Sequence, residues 1–328
     1  MSGTPVFRSR WARRPPATGA AAMATGVLSI GLRLAGHEVL SAVALALTVV
    51  AWLGLVGDVV LRLLPPHDLQ PADPVSPASL AAVAATTVLG ARLSSAGQPS
   101  LAEALLALAV VLWVVLLPPV LRRWRRRRTS GAVFLGCVAT EGIAVLGAVL
   151  ATALSVAWLA HTALVFFWLG LVFYLIGLRC FDRRQVATGA GDQWIAGGAL
   201  ALSAYAGSRL VAAGRGGPYL WDGDDDGVLR VVTLALLALA LAWYCVLAAA
   251  ELIRPRLGHD VRRWSTVFPL GMTAVAALSV GMELGVPWLR ALGRVLLWIA
   301  VAAWCAVLAS AAVSAPRGPE SIRSRAPR

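Results

Sequence analysis

Arg262-Arg263-Trp264-Ser265-Thr266-Val267-Phe268-Pro269-Leu270-Gly271 opens a run that carries no charged side chain from Trp264 to Met282. Two arginines ahead of an uncharged run mark the cytoplasmic end of a membrane helix. Pro269 lacks a backbone donor and clashes with the preceding turn, so a kink is expected here. In lipid the released carbonyl needs another partner, which suits a helix inside a bundle or beside a cavity. Steps of three and four place Ser265, Phe268, Gly271, Val275 and Ser279 on one face. That face reads either as a helix–helix packing surface or as an aromatic plug, Phe268 and its kink at Pro269, in a narrow path.

The rest of the chain has the same character. Of 328 residues, 59% are hydrophobic, and the mean hydropathy is +0.77. These values indicate a polytopic membrane protein. Lysine is absent, so all 29 basic residues are arginine, which excludes a P-loop lysine or a lysine Schiff base. Cys137, Cys180, Cys245 and Cys305 show no zinc spacing and read as reduced thiols. The histidines His37, His67, His161 and His259 are scattered. No metal, cofactor or catalytic residue is expected. An enzyme acting on lipid would need a clustered His/Asp or Ser/His constellation, which the sequence lacks. The net charge of +13 lies mostly in short loops beside apolar segments, and points to lipid headgroups, not nucleic acid.

A span needs about 20 apolar residues. On that basis segments are expected at 17–36, 38–64, 79–97, 99–120, 131–155, 159–180, 192–213, 228–253, 264–285 and 287–314. Most pair through short connections, such as Gly36-His37-Glu38 and Gly285-Val286-Pro287. The expected fold is therefore an all-α membrane protein: ten transmembrane helices as five helical hairpins, an internal repeat. Residues 1–16 form a basic cytoplasmic tail, 17–314 the transmembrane domain and 315–328 a second basic tail. The first segment, preceded by Arg8, Arg10, Arg13 and Arg14, reads as an uncleaved span. With both termini cytoplasmic, 22 arginines fall on the inner side and seven elsewhere, as the positive-inside rule requires.

Odd segments are rich in small and hydroxyl residues; even ones are rich in Leu, Val and Trp. Small side chains let helices approach closely, and large smooth ones suit lipid. An inner ring of five odd helices wrapped by the even ones follows, with a central pore on its axis.

Charges inside spans are costly and mark candidate sites. Arg33, Arg92 and Arg209 stand near the outer ends of odd segments. Grouped round a pore they would attract anions, since guanidinium pairs well with carboxylate; the alternative is snorkelling to headgroups. Glu141 lies mid-span and reads either as a proton-coupling carboxyl or as a structural hydrogen-bonding group. Glu283 is expected to be solvated, Asp58 to pair with Arg62, and Asp192 to start the seventh helix. Asp222-Gly-Asp224-Asp225-Asp226-Gly227 has the opening of a calcium loop but Thr233 at its twelfth position. A solvated loop capping the eighth helix accounts for it better.

Met23-Ala24-Thr25-Gly26-Val27-Leu28-Ser29, Asp192-Gln193-Trp194-Ile195 and Trp264-Ser265-Thr266-Val267-Phe268-Pro269-Leu270-Gly271 together resemble the tellurite-resistance/dicarboxylate transporter family. That family includes fungal malate permeases and plant slow anion channels. The resemblance spans about 18–312. It implies a plasma-membrane homotrimer with one pore per subunit and an occluding phenylalanine on the ninth helix, which falls on Phe268. Thr25, Gly26, Ser29, Thr140, Ser265 and Gly271 are the expected lining. Only the ninth odd helix has a proline within its span, a departure from relatives with several kinked inner helices. The expected function is passage of small organic anions, C4-dicarboxylates such as malate. The alternative is an uncoupled channel for chloride or nitrate, with tellurite resistance as a secondary phenotype.

Overall fold

The computed structural model describes residues 17–63, 79–124, 130–182, 184–188, 191–215, 223–253 and 263–314. Both tails, most of the Arg122–Arg128 run and Asp222 lie outside these residues, as do the side chains of Asp58 and Arg62. Ten long helices follow in order: α1 Ala17–Leu34, α2 Glu38–Leu63, α3 Leu80–Ser95, α4 Pro99–Trp124, α5 Leu135–Leu154, α6 Ala157–Cys180, α7 Trp194–Arg215, α8 Gly223–Ile253, α9 Trp264–Glu283 and α10 Pro287–Ser314. A 3₁₀ turn, Gly131–Phe134, leads into α5, and a four-residue helix, Gln185–Thr188, precedes α7. The protein is all-α and membrane-embedded, as its sequence requires.

Each consecutive pair packs as a hairpin. Three of the hairpin turns place a glycine at positive φ, Gly36, Gly97 and Gly285, where a side chain would strain the backbone. The third hairpin instead places Ser155 there, at φ 56°. The odd helices close a ring in chain order, with α1 against α3, α3 against α5, α5 against α7, α7 against α9 and α9 back against α1.

Close approach of backbones makes the ring possible. A Cβ on Gly142 of α5 would stand 2.3 Å from Thr87 Oγ1 of α3. One on Gly198 of α7 would stand 2.9 Å from Pro269 Cγ and 3.0 Å from Phe268 Cε1 of α9. Both positions therefore require glycine.

The even helices clad the ring. Their outward residues are apolar and exposed, such as Val43 and Val50 on α2, Val111 and Val115 on α4, Val165 and Val172 on α6, and Val295 and Trp298 on α10. In water such a surface would be untenable; in lipid it is the solvated one.

Among the described residues, eight helices are long and apolar enough to cross a membrane. In α1 and α3 the apolar stretches are shorter, Gly19–Leu34 and Leu80–Ser95. At 1.5 Å per residue these cover about 24 Å. Both lie in the inner ring, where neighbouring helices rather than lipid surround them.

Several element boundaries differ from the sequence expectation, two of them beside acidic residues. α8 begins at Gly223, so Asp224–Asp226 occupy its first turn instead of a preceding loop. Acidic residues are favoured there by the helix dipole. The seventh helix begins at Trp194, after a turn in which Gly191 N donates to Gln193 Oε1 at 3.0 Å.

Candidate functional site: an axial cavity inside the helix ring

All five odd helices contribute to one cavity on the ring axis. Its lining is Val27 and Ile30 of α1, Thr87, Val88 and Ala91 of α3, Gly142 and Val145 of α5, Leu202 and Tyr205 of α7, and Met272 and Val275 of α9. The cavity is narrow, at about 10 Å³, close to the room that one water needs. Its lining is almost wholly apolar, with the hydroxyls of Thr87 and Tyr205 as exceptions.

Phe268 lies one turn from Met272 and two turns from Val275, on the same face of α9, toward the end from which the odd helices start. It is 1% exposed, and its ring packs on the gap left by Gly198, one turn below Leu202. Pro269 seats against the same glycine. Pro269 leaves the Ser265 carbonyl, four residues back, without its helical donor, and one turn further on the Thr273 hydroxyl donates to Pro269 O at 2.8 Å. A buried ring therefore stands one helical turn from the cavity-lining Met272, beside a proline that removes one backbone donor from α9.

The hydroxyl residues expected to line the path lie elsewhere on the ring. Thr25 accepts from Trp304 Nε1 of α10 at 3.0 Å, and Thr140 from Trp113 Nε1 of α4 at 2.9 Å. Gly26 faces Val88 and Thr48. Gly271 is buried against Val27 and Leu28. Ser265 is half-buried in the first turn of α9. Ser29 bridges to α2, where its hydroxyl donates to Ser41 O at 2.8 Å while Ser41 Oγ donates to Ser29 O at 2.7 Å.

The three candidate arginines have three different settings. Arg33 meets Glu38 across the first hairpin at 3.4 Å and is more than one-third exposed. Arg209 Nη1 meets Glu283 Oε1 at 3.1 Å, and Arg215 approaches the other oxygen at 3.4 Å. Glu283 thus bridges two guanidinium groups instead of standing free in solvent. Arg92 is 3% exposed. Its Nε donates to Ser29 Oγ at 3.1 Å and to Ser41 Oγ at 3.2 Å, and its Nη2 donates to Ser41 Oγ at 2.9 Å.

Glu141 is fully buried on the flank of α5. Its Oε1 accepts from Ser203 Oγ of α7 at 2.8 Å, and Oε2 has no partner. Gly170 of α6 makes room for it, since a Cβ there would stand 2.7 Å from the carboxyl carbon. The carboxyl thus sits between α5, α6 and α7, while its neighbour Gly142 faces the cavity. All four cysteines are free thiols. No cluster of metal-ligating side chains occurs among the described residues.

Sequence reasoning missed Thr87, Leu202, Tyr205 and Met272. Met272 was within reach, because it follows Phe268 by one helical step of four. Tyr205 and Leu202 gave no signal of their own in a helix that is apolar on every side.

Comparison with known proteins supports this architecture. Residues 13–312 match the sequence model of a family named SLAC1 and described as voltage-dependent anion channel. The chain is also similar to two curated relatives from Mycobacterium tuberculosis, the uncharacterized membrane proteins MT1776 (strain CDC 1551 / Oshkosh) and Rv1735c (strain ATCC 25618 / H37Rv). Each is 29% identical over 124 residues, covering 34% of this chain and 57% of the relative. The matched stretch thus spans little more than half the length of those relatives.

Proposed function

The chain belongs to the SLAC1 voltage-dependent anion channel family, and from that premise we propose that it passes small organic anions, C4-dicarboxylates such as malate, along the ring axis. The cavity to which all five odd helices contribute carries this reading. An axis shared by five helices is the one place in such a bundle where a path can cross the membrane without touching lipid. Phe268 closes that path on the side where the odd helices begin, and Pro269 supplies the weak point about which it moves. Arg33, Arg92 and Arg209 stand toward the opposite end and raise the local concentration of anions there. Thr25, Gly26, Ser29, Thr140, Ser265 and Gly271 serve the path by setting the helices that form it. The protein works in the plasma membrane with both termini cytoplasmic, as a homotrimer with one pore per subunit. Tellurite resistance, where it arises, is a consequence of anion passage.

The narrow, apolar lining favours a second reading, an uncoupled channel for chloride or nitrate. Flux into liposomes separates the two. Malate should enter faster than chloride from equal concentrations, and a pH gradient should accelerate malate if Glu141 carries a coupling proton. Glu141→Gln should then abolish the gradient effect and leave passive flux intact. Chloride flux exceeding malate flux, with no response to the gradient, selects the inorganic channel. Absence of both fluxes from folded protein rejects conduction altogether.

A further inference from the structure

The guanidinium of Arg92 is charged at any accessible pH, lies within a membrane helix and is 3% exposed. Burying an ion costs several kcal/mol unless an opposite charge and full hydrogen bonding offset it. The second condition is unmet among the described residues, and the first is met only in part, because Glu38, the carboxylate that acts on Arg92, is opposed by the charge of Arg33. Its Nε and Nη2 reach only the hydroxyls of Ser29 and Ser41. Those hydroxyls supply lone pairs but no charge, because each already donates its proton to a backbone carbonyl of the facing helix. The nearest carboxylate along the hairpin, Glu38, is paired with Arg33. The third nitrogen, Nη1, is buried and has no partner. Arg92 is therefore a clamped cation with one nitrogen, Nη1, and its N–H donors left over, and the residue before it, Ala91, lines the axial cavity.

We propose that Arg92 Nη1 binds a small inorganic anion such as chloride, in a site walled by the first hairpin and α3. Water would satisfy the N–H and leave the charge uncompensated; an anion satisfies both. One free nitrogen in an enclosed position suits a monatomic or small planar anion, and not a C4-dicarboxylate, whose second carboxylate would be left unpaired. The site adds an anion-binding position beside the path proposed above, and rests on that reading only for its supply of anions.

The test reads binding and not flux. Thermal unfolding of the purified full chain in detergent is followed as chloride replaces gluconate at constant ionic strength. The midpoint should rise and saturate with chloride, and malate should not reproduce the rise. Arg92→Gln should raise the half-saturating concentration about tenfold or more, the weight of one charge-assisted hydrogen bond. Arg92→Lys keeps the charge and should retain a weakened response. It serves in place of the glutamine variant if that one is not recovered folded. Ser41→Ala, which loosens the clamp, should also weaken the response. A flat chloride response in the unaltered protein, or an unchanged response in Arg92→Gln, overturns the proposal. Anion flux without chloride binding removes this site alone, whereas chloride binding without flux keeps the site and removes the conduction reading.

Discussion

At Phe268, packing and gating predict opposite results from one substitution. The ring is buried and presses on Gly198 across the α7–α9 contact. If that contact is only core, Phe268→Ala leaves a cavity and costs about 3–5 kcal/mol. The protein should then melt earlier and conduct less. If the ring instead closes the axial path, its loss joins the cavity above to the space below, and flux should rise with a broader choice of anions. Phe268→Leu should fall between wild type and Phe268→Ala. Conductance per folded molecule in bilayers, with melting temperature as the control, separates the cases; stable Phe268→Ala protein that conducts no better than wild type rules out the gate. This residue was legible in the sequence because the adjacent proline and the resemblance drew attention to it. Arg92 was legible only as a charge out of place. Its clamp of Ser29 and Ser41 joins positions 12 and 51 residues or more apart along the chain, and helical spacing within one segment carries no such information.

Between elements, three contacts repeat round the ring. Trp52, Trp113 and Trp304, on even helices, donate Nε1 to Thr86, Thr140 and Thr25, on the next odd helices, at 3.0, 2.9 and 3.0 Å. Each threonine hydroxyl in turn donates to the carbonyl four residues back, at 2.8 Å. They link the first hairpin to the second, the second to the third and the last to the first. Trp243 on α8 packs on Gly197 of α7, and its Nε1 is buried without a partner. That tryptophan packs within its own hairpin and does not repeat the contact. Thr140→Val keeps shape and removes the acceptor for Trp113, so it should destabilise by about 0.6–2 kcal/mol, the range for hydrogen bonds between membrane helices. The double variant Thr140→Val with Trp113→Phe should lose less than the sum of the single changes; additive losses measured by detergent melting would dissolve the pair. The alternation of small odd helices and bulky even ones was readable because lipid and protein select different side chains. Which threonine meets the cavity was not, since Thr86 and Thr87 are neighbours in sequence. Only the rotation of α3 decides that Thr87 faces the axis and Thr86 meets Trp52.

For the whole molecule, the ring and its cladding fix an axis but not its direction across the membrane. The distribution of arginine favours one direction. Inner loops, tails and helix ends hold 22 of the 29 basic residues when the termini face the cytoplasm, and positively charged loops resist translocation. The seven others include Arg33, Arg92, Arg209 and Arg215, of which two meet Glu283 and one meets Glu38. In that orientation Arg33, Arg209 and Arg215 on the outer side meet carboxylates, and inverting the molecule would carry the arginine-rich loops across. Single cysteines at Gln98, in an exposed hairpin turn, and at Arg184, exposed before α7, read the direction. They are best placed in a background where the lipid-facing Cys245 and Cys305 are replaced by alanine. An impermeant maleimide added to intact cells should label Gln98→Cys and leave Arg184→Cys untouched until the membrane is opened. If Arg184→Cys alone reacts from outside, the orientation is reversed, Phe268 closes the outer side of the path, and the guanidinium groups of Arg33 and Arg209 would collect anions from the cytoplasm.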